Sequence, residues 1–165
     1  NSGVNSPLAI ETSGHAAFRD NYYLDDGAYL IVRILICLSQ QAEKGQTLNS
    51  LIAGLKMPAE EKELRLTFTD KSVDFRKEGK QIIEDLKVAA EKTDGMVLAP
   101  DNYEGVKITL GSGTFILRMS VHDPQIPINF ESDYTGGNKK TAETLLSLLN
   151  YGFLNTENLK NFINN

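Results

Sequence analysis

From Ala28 to Gln41 the sequence reads as a helix that is apolar almost all the way round. Leu30, Ile31, Val32, Ile34, Leu35, Ile36, Cys37 and Leu38 are broken only by Arg33. A helix of this kind needs neighbours on more than one side. Asp25-Asp26-Gly27 opens it, and two aspartates suit the positive end of a helix dipole. Upstream, only Ser6 to Glu11, with Pro7, Leu8, Ala9 and Ile10, reads as a strand, and it runs into a polar loop at 12–15. One strand and one helix cannot bury that much apolar surface, and a lone strand leaves its ladder groups unpaired. Residues 1–45 are therefore expected to be the incomplete C-terminal part of an α/β domain. The apolar run is too short to span a bilayer.

The rest of the chain is more self-consistent. Residues 42–63 are mixed. Thr47, Leu48, Leu51, Ile52 and Leu55 have helical spacing, and Met57-Pro58 ends it, which marks a linker and the entry to a second domain over 46–165. Glu63–Thr69 alternates Leu64, Leu66 and Phe68 with polar residues, as a half-buried strand does. Phe75, Ile82, Ile83, Leu86, Ala89 and Ala90 form one stripe of a helix over about 74–92. Val106, Ile108 and Leu110 make a second strand, Gly111-Ser112-Gly113 a hairpin turn, and Phe115, Leu117 and Met119 a third strand. Ile126, Ile128 and Phe130 make a fourth. A helix after Gly136-Gly137 carries Leu145, Leu146, Leu148 and Leu149, and a short last helix holds Leu159, Phe162 and Ile163. The fold class expected is α+β: a β-α-β-β-β-α unit with an antiparallel sheet flanked by helices, preceded by a partial strand-helix piece.

Composition narrows the function classes. The 165 residues carry a formal net charge of -5, which argues against a broad grip on nucleic acid or an anionic membrane but not against a local cationic pocket. A single cysteine, Cys37, excludes an internal disulfide, and its apolar helical setting reads as a buried small hydrophobe. One Cys and two distant His residues assemble no zinc site. No signal-peptide pattern is visible at the start, which says little for a chain expected to begin inside a larger protein.

Two polar stretches hold the chemistry, and each contains one of the two histidines. In Glu11-Thr12-Ser13-Gly14-His15, a carboxylate at a strand end accepts sugar hydroxyl bonds. Gly14 allows close backbone approach, and His15 can donate to a hydroxyl or move a proton near neutral pH. The competing reading is a turn whose Glu and Ser cap the local backbone. In Arg118-Met119-Ser120-Val121-His122-Asp123-Pro124, alternation puts Arg118 and Ser120 on one face and Leu117, Met119 and Val121 on the other. A straight strand would spread Arg118, Ser120 and His122 over about 13 Å at roughly 3.3 Å per residue, too far for one phosphate. The chain is therefore expected to bend near His122-Asp123-Pro124 and gather an Arg fork, a hydroxyl and backbone N–H groups around one anion. The competing reading is an ordinary solvated outer face. A molecule with a sugar at one end and a phosphate at the other suits both stretches.

Together these motifs resemble the α-D-phosphohexomutases of the phosphoglucomutase/phosphomannomutase branch. That family has a Glu-x-Ser-Gly-His sugar loop in its third domain, followed by a helix opening near Asp-Asp-Gly. Its fourth domain carries an Arg-x-Ser phosphate loop. The resemblance covers nearly the whole chain and implies the end of domain three plus domain four. It implies that Glu11, Ser13, Gly14 and His15 bind the sugar, with His15 a candidate acid/base assistant, and that Arg118, Ser120, Val121 and His122 hold the phosphate that is not being transferred. The implied reaction interconverts hexose 1-phosphate and hexose 6-phosphate, of glucose or mannose, through a bisphosphate. The parent enzyme is expected to use Mg2+ and a hexose 1,6-bisphosphate activator, to be cytoplasmic, and to partner this chain with its own N-terminal domains. No nucleic acid, no membrane and no metal in this chain are expected.

Departures from the family pattern matter. Ser120-Val121-His122 stands where many relatives have Ser-Asn-Thr, and Thr12 and Ile10 also differ, so the resemblance does not fix the substrate. The chain has no Asp-x-Asp-x-Asp run and no serine in a Ser-His-Asn-Pro setting, so it is expected to be inactive alone. The alternatives are a non-catalytic sugar-phosphate-binding module, a structural interaction domain pairing through the apolar helix, and an amino-sugar phosphate mutase.

Overall fold

A computed structural model describes residues 5–11, 14–102, 105–120 and 123–165. The chain divides into two compact units, the first reaching Lys56 and the second starting at Met57. The sequence places that division at 45/46.

In the first unit the strand β1 (Leu8–Ile10) is not alone. It pairs antiparallel with β2 (Ala16–Phe18), Leu8 opposite Phe18 and Ile10 opposite Ala16. That corrects the lone-strand expectation: Ala16-Ala17-Phe18 is too short and too small to announce itself by alternation. A 3-10 turn at Arg19–Asn21 follows, and Tyr22 and Tyr23 both take left-handed backbone with φ of 56°. The chain then folds back so that Asp25 bridges to Ala17. Asp26 caps the helix α1 (Gly27–Glu43), its carboxylate accepting from the Tyr29 N–H at 3.0 Å. Phe18 and Tyr29 pack edge to face, and the Arg33 guanidinium lies over the Phe18 ring.

The apolar face of α1 stays uncovered. Ile31 is 58% exposed and Leu35 56%; Val32, Ile34, Ile36 and Leu38 are also exposed, and Cys37 is half-buried rather than buried. Among the described residues of α1 only Gln41 is buried. The helix expected from Thr47 to Leu55 reduces to a 3-10 turn at Leu48–Leu51, with Leu51, Ile52 and Leu55 exposed.

The second unit is an antiparallel sheet of six strands in the order β4-β5-β6-β7-β3-β8. The strands are β3 (Glu60–Phe68), β4 (Val97–Leu98), β5 (Gly105–Leu110), β6 (Gly113–Arg118), β7 (Gln125–Ser132) and β8 (Leu154–Asn155). The helices are α2 (Phe75–Lys92), α3 (Gly137–Leu148) and α4 (Glu157–Asn164). The expected β-α-β-β-β-α order is present. The short edge strands β4 and β8 extend it. One face of the sheet makes the core. Leu66, Val106, Ile108, Phe115, Leu117, Ile126 and Ile128 are fully buried there against Ile82 of α2, Ala142 and Leu145 of α3 and Leu159 of α4. The stripe on α2, Gly79-Ile82-Ile83-Leu86-Ala90, follows the spacing an amphipathic helix needs.

The start of α3 is held by tight contacts. Its N-cap, Gly136, has no side chain to cap with. Glu60 of β3 supplies a carboxylate instead, accepting from the N–H groups of Gly136 at 2.6 Å and Asn138 at 3.2 Å. A Cβ on Gly137 would lie 1.9 Å from Ser132 Oγ and 2.3 Å from the Ser112 carbonyl oxygen, so only glycine fits.

Candidate binding loops

The first stretch is the turn of the β1–β2 hairpin. The Glu11 N–H donates to the His15 carbonyl at 2.9 Å and the Gly14 N–H to the Glu11 carbonyl at 3.0 Å, closing the loop with Gly14 at φ 91°. Glu11, Gly14 and His15 are all exposed. Ser13 lies outside the described residues.

The return of the chain after β2 sets Asp25 beside His15, with Nδ1 2.6 Å from Asp25 Oδ2. An ionised carboxylate only accepts, so Nδ1 carries the hydrogen and a neutral ring presents Nε2 as its acceptor. The two aspartates therefore differ. Asp25 orients an imidazole and Asp26 caps a helix, its carboxyl held below the usual range chiefly by the Tyr29 N–H. In the sequence both read as dipole partners of α1. Only the Ala17–Asp25 bridge, a tertiary feature, separates them.

The second stretch ends β6. Leu117 is fully buried, and Met119 packs against the same core. Met119 sits in a notch on α2, where a Cβ on Gly79 would fall 1.8 Å from its sulfur. Strand alternation then points Arg118 toward the face of the sheet that carries no helices. Opposite Arg118 on β5 stands Gly105, where a Cβ would lie 2.3 Å from the Leu117 carbonyl oxygen and 3.1 Å from Arg118 Cα.

Ser120 and Gln125 then face each other across the connection to β7. The Ser120 N–H donates to the Gln125 carbonyl at 3.1 Å and the Gln125 N–H to the Asp123 carbonyl at 2.7 Å. Ser120 Oγ accepts from the Asp123 N–H at 3.2 Å, so this hydroxyl also braces the turn. Arg118 and Ser120 are half-exposed. Val121 and His122 lie outside the described residues.

Sequence reasoning missed the neighbours of Arg118 on the open face. Glu63 of β3 accepts from Arg65 Nε at 2.9 Å and lies 2.8 Å from its terminal nitrogen, and Asn129 of β7 donates to the same carboxylate at 3.4 Å. Glu63 is held below the usual carboxylate range, first by the Arg65 hydrogen bond and in smaller part by the charge of Arg118. Polar residues alternating along one strand give no hint of which cation on another strand they meet. A shallow hollow of about 510 Å³, lined in part by Leu146, Tyr151, Leu154 and Lys160, contains none of these residues.

Among the described residues no three His, Cys, Asp or Glu side chains gather as a metal site. Among them too, no helix is long and apolar enough to cross a membrane.

No family model matches the chain. It is 28% identical over 127 residues to a phosphoglucomutase of Neisseria meningitidis serogroup A / serotype 4A, an alignment covering 76% of this chain and 25% of that protein. The X-ray structure of a phosphoglucomutase/phosphomannomutase family protein from Burkholderia thailandensis superposes with a TM-score of 0.60 at 25% identity, covering 87% of this chain and 28% of that one. The chain thus spans about a quarter of the length of these relatives.

Proposed function

We propose that the chain is part of an α-D-phosphohexomutase, a reading supported by its similarity to the Neisseria phosphoglucomutase and the Burkholderia family structure, and that it supplies substrate-binding parts of a hexose-phosphate mutase. In this reading the parent interconverts hexose 1-phosphate and hexose 6-phosphate, of glucose or mannose, through a bisphosphate intermediate, in the cytoplasm. The hairpin turn offers Glu11 and His15 to sugar hydroxyls. The end of β6 offers Arg118 and Ser120 to the phosphate that stays in place while the other is transferred. A reaction that moves a phosphoryl group between two ends of a sugar must accept that sugar in two orientations. Separate grips for hydroxyls and for phosphate suit that requirement.

The observation that carries this reading is the end of β6. An arginine sits on an open sheet face beside a glycine, and the chain turns immediately after it. A planar guanidinium matches phosphate oxygens two at a time, and the turn sets the Ser120 hydroxyl at the same strand end. The pairing of His15 with Asp25 adds a second element. An imidazole whose Nδ1 is tied to a carboxylate keeps Nε2 for a substrate hydroxyl, either to accept its proton or, once protonated, to return one.

The 165 residues alone should bind glucose 1-phosphate saturably and give no glucose 6-phosphate. Their sequence holds no aspartate trio and no serine in the family's nucleophile setting. A coupled assay on the purified chain tests this, and turnover would contradict it.

A further inference from the structure

Two arginines, not one, stand on the open sheet face at the end of β6. In the β3–β7 register Arg65 is opposite Pro127, and the next position of the β6–β7 register sets Arg118 opposite the same proline. Arg118, Pro127 and Arg65 therefore form one row across three adjacent strands. At about 4.8 Å per strand, the two arginine Cα atoms are roughly 10 Å apart. Pro127 between them has a short side chain and is buried, and Gly105, opposite Arg118 on β5, carries no side chain.

Glu63 lies two residues before Arg65 on the same face. Its Oε1 takes both Arg65 contacts and its Oε2 the Asn129 amide. The charge of Arg118 also acts on it. Glu63 thus pairs with Arg65 while also feeling the charge of Arg118. An exposed pair of this kind is weakly held, whereas a phosphate dianion brings two charges and more acceptor oxygens to the same donors.

We infer that Arg65 is a second arm of the phosphate site at the end of β6, and that Glu63 holds it in place beside Arg118 until a phosphomonoester takes over its donors. This rests on the reading of Arg118 given above. It adds a specificity element, because two forks distinguish a terminal phosphate dianion from a monoanionic carboxylate or sulfate ester.

The test is a titration of the 165-residue chain with inorganic phosphate, then glucose 6-phosphate, at fixed ionic strength, following the arginine Nε–H resonances. Arg65 and Arg118 should shift along one saturating curve. Arg65→Gln should weaken binding about tenfold, while Arg76→Gln, which removes the same charge from α2, should change it less than twofold. Glu63→Gln should tighten binding a few-fold by removing the competing carboxylate. If Arg65→Gln behaves like Arg76→Gln while Arg118 still responds, Arg65 is no part of the site, and the proposed function survives. If Arg118 itself shows no saturable response in the unsubstituted chain, both readings fall.

Discussion

The helices α1 and α2 are nearly equal in length, and the more apolar one is the less buried. On α2 the apolar residues sit on a single stripe and five positions are buried beneath the sheet. On α1 they run round the cylinder, and most are exposed. Burial depends on what the surrounding chain supplies. The second unit supplies six strands and two further helices. The first supplies a two-stranded ribbon, which is marginal by itself. The stability of this chain therefore resides after Met57, while the His15–Asp25 pair is carried by the thinner unit.

Core truncation should expose that difference most strongly. Phe115→Ala, at a fully buried position against Phe130, should cost about 3–5 kcal/mol. Leu35→Ala on α1 should stay within about 0.5 kcal/mol. Urea unfolding of the two variants measures both, and equal losses would break the comparison.

Next in size is Gly137→Ala. Alanine favours a helix interior, but its Cβ would strike Ser132 Oγ and the Ser112 backbone. A loss of about 1–3 kcal/mol is expected, with the shifted α3 visible in the amide spectrum. A smaller energetic change, though clear in rate, is expected in hydrogen exchange: amides of α1 should exchange orders of magnitude faster than those of α2 at Ile82 to Leu86.

Acid gives the smallest effect. The Asp26 carboxyl is depressed in the folded chain below its ordinary 3.8. Its stabilisation of α1 is thus complete above that value and is lost as pH falls through the lower folded value. Fraying at Gly27–Leu30 below about pH 4 should appear in the wild type and be present at neutral pH in Asp26→Ala.

The core of the second unit was legible because its strands alternate and α2 carries its stripe at helical spacing. Strands β2, β4 and β8 were not, since two or three residues show no period. The bend after Arg118 was legible from Asp123-Pro124 together with the reach that one phosphate allows. The role of Asp25 was hidden behind its neighbour Asp26, and the Glu63–Arg65 pair is set by strand register, which no local pattern in β3 encodes. The strand and helix of the first unit were found where expected, but the partner of β1 came from within the unit itself.

The most direct test of a sugar-phosphate role is a glucose 6-phosphate titration followed through backbone amides. Saturable shifts are predicted at Arg118, Ser120, Asp123 and Gln125, and at Glu11, Gly14 and His15, with α2 and α3 unmoved. Amides at those loops that stay still at millimolar ligand, or shifts confined to the hollow at Tyr151 and Lys160, would contradict it.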